Sequence, residues 1–135
     1  MNKLTGKIVG IESSSHMSIV DIDVEGDVFC SIVLETPSSA PYLKQGGDVT
    51  MLFKETEVSI GKNLSGLISL RNRFKGTVRR IEPSQILSKV VLAYKTQEIV
   101  SIITARSVQK LGLTVGENVE WLVKTNEVSL CSPSF

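Results

Sequence analysis

Catalytic chemistry is hard to build from this 135-residue chain, because the side chains it usually needs are scarce. The single histidine, His16, sits in a Ser-Ser-Ser-His turn with no partner at ligand spacing, so neither a metal site nor a histidine-based acid/base pair is expected. The two cysteines, Cys30 and Cys131, form no CxxC pattern and read as buried or incidental thiols. A nucleophile elbow and a glycine-rich phosphate loop are both missing. Together these absences predict a non-catalytic protein, with no catalytic cofactor and no metal held directly by side chains.

Aromatic residues make up only 5% of the chain, and Phe29, Phe53 and Trp121 lie in strand patterns among apolar neighbours. Binding of single-stranded nucleic acid needs aromatic platforms beside a basic groove, so these three read as core and no nucleic-acid partner is expected. No apolar stretch approaches the roughly 20 residues that cross a bilayer. Met1-Asn2-Lys3-Leu4-Thr5 leads straight into a strand pattern rather than a signal-peptide core, so the chain reads as cytoplasmic, without a membrane partner. With 41% hydrophobic and 21% charged residues, the composition is that of a soluble globular protein.

What the chain does have is a repeat. Shifted by seventy positions, residues 1–65 fall without a gap on residues 71–135. Leu4-Thr5-Gly6-Lys7-Ile8-Val9 lands on Phe74-Lys75-Gly76-Thr77-Val78-Arg79, Gly46 on Gly116, and Lys54 with Glu57-Val58-Ser59 on Lys124 with Glu127-Val128-Ser129. This predicts two domains, 1–62 and 69–133, joined by the polar connector Gly61-Lys62-Asn63-Leu64-Ser65-Gly66. Units this small are near the lower limit of independent stability, so they are expected to bury surface on each other or on another chain. Shared features read as fold, and features of one copy as candidate function.

Charge is one such difference. Residues 1–62 carry five basic and nine acidic side chains, whereas residues 63–135 carry ten basic and five acidic, so the halves stand at −4 and +5. The asymmetry equips the second copy to attract an anion, and equally fits attraction between an acidic and a basic half.

Period-two alternation with β-branched residues predicts strands at Leu4–Glu12, Met17–Val24, Val28–Leu34, Val49–Lys54 and Val58–Ile60. In the second copy it predicts them at Phe74–Glu82, Leu87–Tyr94, Glu98–Thr104, Asn118–Lys124 and Val128–Cys131. One helical signal interrupts: Thr104-Ala105-Arg106-Ser107-Val108-Gln109-Lys110-Leu111-Gly112 has a hydroxyl cap, a basic residue near its end and a glycine just beyond. The first copy offers Thr36 to Gly46 at a similar place, where Pro41 shortens or breaks the helix. The expected fold is all-β, two tandem OB-like five-stranded barrels, each with one short helix.

Anion donors gather in the second copy. Ser69-Leu70-Arg71-Asn72 precedes its first strand, Thr104 and Ser107 start the helix, and Lys124-Thr125 ends the fourth strand. Hydroxyls, helix N–H groups and two full positive charges suit an unprotonated tetrahedral dianion, which offers only acceptors. Hydrogen phosphate would leave its proton without an acceptor in such a site.

The segments Ser69 to Val78, Ile102 to Leu113 and Val119 to Thr125, with their SxRN, ITAxS and LxK motifs in order, resemble the Mop (TOBE-type) domain of molybdate-binding proteins. The tandem arrangement resembles a di-Mop molbindin. The resemblance implies two OB-like Mop barrels that bind molybdate or tungstate at interfaces between domains and assemble as a symmetric homo-oligomer, a trimer ahead of a dimer. By motif, Ser69 and Arg71 match the N-terminal ligand pair, Thr104 and Ser107 the hydroxyl ligands, and Lys124 the lysine ligand, with Thr125 beside it. In interface sites of this kind, groups come from different copies.

The first copy departs from that pattern, with Met1 in place of Arg71, Leu34 in place of Thr104 and Pro37 in place of Ser107. Only Lys54 keeps its place opposite Lys124, while Thr36 and Ser38 are substitutes if its helix starts two residues later. The function implied is cytoplasmic storage or buffering of molybdate or tungstate. The alternatives are a molybdate-sensing module for a transporter or transcription regulator, and a structural oligomerisation domain with decayed sites.

Overall fold

A computed structural model of the chain describes residues 1–133. The first copy forms β1 (Asn2–Ser13), β2 (Ser18–Val24), β3 (Asp27–Val33), β4 (Asp48–Phe53) and β5 (Ser59–Gly61). The second forms β6 (Asn72–Glu82), β7 (Leu87–Tyr94), β8 (Gln97–Thr104), β9 (Asn118–Val123) and β10 (Ser129–Cys131), with one α-helix, α1 (Ala105–Leu111), after β8. Every strand expected from the alternation is present, because alternate residues face a core: β2 buries Ser18, Val20, Ile22 and Val24 and turns the residues between them outward.

The sheets do not follow the repeat. One has the order β10-β4-β1-β2-β3 and the other β5-β9-β6-β7-β8, so each takes its fifth strand from the other copy. Ser129–Cys131 pairs antiparallel with Leu52–Thr50, and Ser59–Gly61 with Leu122–Glu120. By packing, the compact units among the described residues are 1–53 with 124–133, and 54–123, so each draws on both copies of the repeat. Local patterning reports that a strand exists; it carries no information on which sheet receives it. Charge is unaffected by the exchange: the first unit carries four basic and eight acidic residues, the second eleven and six.

Each sheet curls to meet its own edge. In the first unit the buried Ser31 hydroxyl on β3 donates to Val128 O just before β10, at 2.7 Å. In the second, Ser101 on β8 donates to Val58 O just before β5, at 2.6 Å. Curling relies on a bulge in the long first strand of each unit, between Ile8 and Gly10 and between Val78 and Arg80, which lets its two halves pair with different neighbours. Gly6 sits where the backbone of β2 crosses closely; a Cβ there would lie 2.5 Å from Asp23 O, so no other residue fits without displacing the strand.

Leu4, Ile8, Ile22, Phe29, Met51 and Phe53 fill the first core. Phe74, Tyr94 and Trp121 form an aromatic cluster in the second, with ring centroids 5.1 to 6.1 Å apart. Phe29, Phe53 and Trp121 are at most 1% exposed, so none of them presents a stacking face.

Helix α1 starts and stops where its sequence signals it. Thr104 is the cap, in extended conformation, and Gly112 closes the helix at φ 60° with its N–H on Gln109 and Val108 carbonyls. The short helix expected in the first copy is not formed. Among the described residues, Thr36 to Gly46 is a series of turns, with Ser39 and Ala40 N–H both on Thr36 O and Leu43 N–H on Ala40 O. Proline at 37 and 41 removes two N–H donors, and the residue before each is pushed away from helical geometry.

Candidate functional site

The hydroxyl pair at the start of α1 is organised by capping. Thr104 Oγ1 accepts from Ser107 N–H at 3.0 Å and donates to Ser107 Oγ at 2.9 Å. Having accepted that bond, Ser107 Oγ directs its own proton elsewhere, so the pair offers one outward O–H donor, at Ser107. The N–H of Ala105 is already bonded to Ile86 O at 2.8 Å. Clefts flank the pair: one of about 250 Å³ lined by Gln85, Ile86, Thr104, Ala105 and Arg106, and one of about 480 Å³ lined in part by Ser59, Ile60, Ser107 and Lys110.

Ser69 and Arg71 are exposed and lie just before β6, whose first residue, Asn72, is fully buried opposite Val123. Asn72 thereby fixes the backbone from which Arg71 projects. Its sequence signal is the motif itself and the asparagine seventy positions earlier, Asn2, which is also buried. At the far end of β6, Glu82 stands opposite Lys89, and β7 sets Leu87 opposite Thr104. The register therefore places Arg71 and Thr104 at opposite ends of the second sheet, separated by the 11 residues of β6, about 36 Å of strand at roughly 3.3 Å per residue. Thr104 and Ser107 come together, Ser69 and Arg71 lie together, and the unit does not join the two pairs.

Lys124 and Thr125 follow β9 directly, Lys124 exposed and Thr125 half-buried at the start of a single 3-10 turn, Thr125–Glu127. The boundary between the compact units falls at the Val123–Lys124 bond, and the equivalent boundary at the Phe53–Lys54 bond. Strand exchange therefore assigns Lys124 to the unit of the first copy and Lys54 to the unit holding Thr104, Ser107 and Arg71, an outcome that sequence spacing did not signal.

Electrostatics separate Arg71, Lys54 and Lys124 from the cations that are already paired. Arg73 pairs with Glu120, Arg79 with Glu98 at 2.7 Å, Arg80 with Glu82 at 2.8 Å and Lys62 with Glu117 at 3.0 Å. The Arg73 hydrogen bond holds the Glu120 carboxyl below its ordinary range, and the Lys62 hydrogen bond does the same to Glu117. Among the described residues Arg71, Lys124 and Lys54 enter no ion pair, so their charges remain open to an external anion. A larger concavity, about 530 Å³ around Gly76, Lys75, Lys95 and Asn118, contains none of the candidate ligands. No group of His, Cys, Asp and Glu among the described residues is arranged to hold a metal ion.

In the first copy, Thr36 Oγ1 and Ser38 Oγ lie 3.0 Å apart, with Thr36 N–H on Ser39 Oγ at 3.0 Å. Beside them Tyr42 donates its hydroxyl proton to Glu35 Oε1 at 2.5 Å. The sequence carries no signal for the Glu35–Tyr42 pair, because turns without a periodic pattern bring the two residues together.

Comparison with known proteins agrees with the topology. Residues 68–130 match the model of the TOBE domain. The crystal structure of the cytoplasmic molybdate-binding protein ModG, with molybdate bound, superposes with a TM-score of 0.91 at 31% identity, over 98% of this chain and 96% of that one. The chain belongs to the tandem Mop family, with two OB-like Mop domains in one polypeptide. It is also 36% identical over 87 residues to the molybdenum import ATP-binding protein ModC of Brucella abortus (strain 2308), and spans only 24% of that protein's length. A molybdate-binding protein from Sporomusa ovata is 41% identical over 44% of this chain and 88% of its own, with a TM-score of 0.43. No helix among the described residues is long and apolar enough to cross a membrane.

Proposed function

We propose that this protein binds molybdate or tungstate without transforming it and serves to store or buffer the oxyanion in the cytoplasm, as part of molybdenum homeostasis. The observation that carries the reading is the likeness, over nearly the whole chain, to a protein solved with molybdate bound. The local chemistry supports it: Ser69, Arg71, Thr104, Ser107, Lys124 and Thr125 contribute donors and positive charge, which an unprotonated tetrahedral dianion requires. Because Arg71 and Thr104 stand at opposite ends of one sheet, the complete ligand set draws on more than one copy, in a homo-oligomer for which a trimer is the favoured state.

Calorimetry with molybdate, run in parallel with sulfate and phosphate, tests the proposal. Heat with molybdate and a clear preference over sulfate are expected; no heat, or equal affinity for sulfate, overturns it. A second reading is favoured by the match to part of ModC: a detached sensing module that binds the anion in order to alter a partner. Pull-down with and without molybdate separates the two, since storage requires no ligand-dependent partner.

A further inference from the structure

One position just after the third strand differs between the copies in a decisive respect. In the second copy it is Ala105, flanked by the paired hydroxyls of Thr104 and Ser107. Seventy positions earlier it is Glu35, beside the paired hydroxyls of Thr36 and Ser38. The first copy thus keeps hydroxyls after its third strand, and adds a carboxylate next to them.

That carboxylate is not a freely swinging surface group. Glu35 Oε1 accepts from the Tyr42 hydroxyl at 2.5 Å, and Glu35 O accepts from Ser18 Oγ at 2.6 Å, so both the side chain and the backbone of the residue are held. Ser18 is 1% exposed and shares a further hydrogen bond with Ser13 Oγ at 2.8 Å. Burial and the Glu35 carboxylate push the Tyr42 phenol well above its ordinary value, so the phenol keeps its proton at neutral pH and stays a donor to Glu35. A dianion entering here would meet another acceptor bearing the same sign of charge, in a unit that is acidic as a whole.

We propose that Glu35, held by Tyr42, closes the first copy to oxyanions, so that the second-copy donors alone set how many anions each chain takes up. The inference rests on the protein being a molybdate binder, and adds the residue that determines its stoichiometry. It also accounts for the retained hydroxyls: they hydrogen-bond to one another and to the turn.

Native mass spectrometry that counts molybdate per chain tests this in wild type, Glu35→Gln, Glu35→Ala and Tyr42→Phe. The Glu35 variants are expected to take up more molybdate than wild type, and Tyr42→Phe, which keeps the charge, the same amount. The reciprocal variant Ala105→Glu places the carboxylate at the start of α1, where an acidic residue favours the helix and the fold is kept. Its affinity measured by calorimetry is expected to fall at least a hundredfold. If wild type binds no molybdate, the proposed function fails. If wild type binds but neither Glu35 variant exceeds it, or Ala105→Glu binds like wild type, the role of Glu35 is overturned while the function stands.

Discussion

Ser31 donates its hydroxyl proton to the carbonyl oxygen of Val128, 97 residues further along the chain, at 2.7 Å. Ser101 does the same to Val58, 43 residues back, at 2.6 Å. The two bonds are equivalent under the seventy-residue shift, yet each joins one copy to the other's fifth-strand segment. Both serines are fully buried.

Removing either hydroxyl leaves a buried carbonyl without its donor. Ser101→Ala and Ser31→Ala are each expected to lower stability by about 1–3 kcal/mol, the cost of an unsatisfied buried polar group. Urea unfolding monitored by Trp121 fluorescence for the first variant, and by circular dichroism for both, reads the shift. An unchanged midpoint would mean that another donor reaches the carbonyl.

Separate polypeptides 1–62 and 69–133 are expected to fold poorly alone, since each supplies a strand that completes the sheet built by the other. Mixed in equal amounts they are expected to regain the native circular dichroism spectrum. Independent folding of either piece would show that its own fifth strand can return to its own sheet.

Arg71→Ala is expected to weaken molybdate binding by about tenfold to a hundredfold, the value of one charge-assisted hydrogen bond. Thermal stability should hardly change, because the side chain is exposed and enters no ion pair among the described residues. Calorimetry paired with a melting curve checks both halves of the statement.

Thr104→Val and Ser107→Ala separate capping from binding. The first removes both the cap acceptor and the hydroxyl that orients Ser107, so stability is expected to fall by about 1 kcal/mol along with affinity. The second removes only the outward donor and keeps the Ser107 N–H on Thr104, so affinity falls with little loss of stability. Equal melting temperatures for the two variants would argue against the capping role.

Acid should weaken the second unit through Glu117 and Glu120. Both carboxyls are held below their unfolded range by hydrogen bonds from Lys62 and Arg73. Their contribution is therefore present above the unfolded carboxylate pKa of about 4.3 and is lost as pH falls through the lower folded values. The melting temperature of Glu120→Gln should lie below that of wild type at pH 7, with the gap narrowing towards pH 3.

Much of the fold was legible in the chain because its information is local. Alternation located the ten strands, and Thr104 and Gly112 bounded α1. The first copy keeps the hydroxyl cap signal but forms no helix, because Pro37 and Pro41 leave only turns. Membership of a sheet is a long-range property, so the exchange of β5 and β10, and with it the transfer of Lys54 and Lys124 between units, had no local signature. Donor types at the candidate site were readable; the separation of Arg71 from Thr104 emerged only from strand register.

The crosswise fifth strands also dictate an order of events during synthesis. When β4 leaves the ribosome, the edge that will receive β10 has no partner, and it must wait until residues 129–131 have been made. The second sheet has its β5 in hand before its other strands exist, and closes first. An open edge that persists through most of translation invites pairing with a neighbouring nascent chain, so a ribosomal pause or premature stop within the second copy endangers the first copy more than itself.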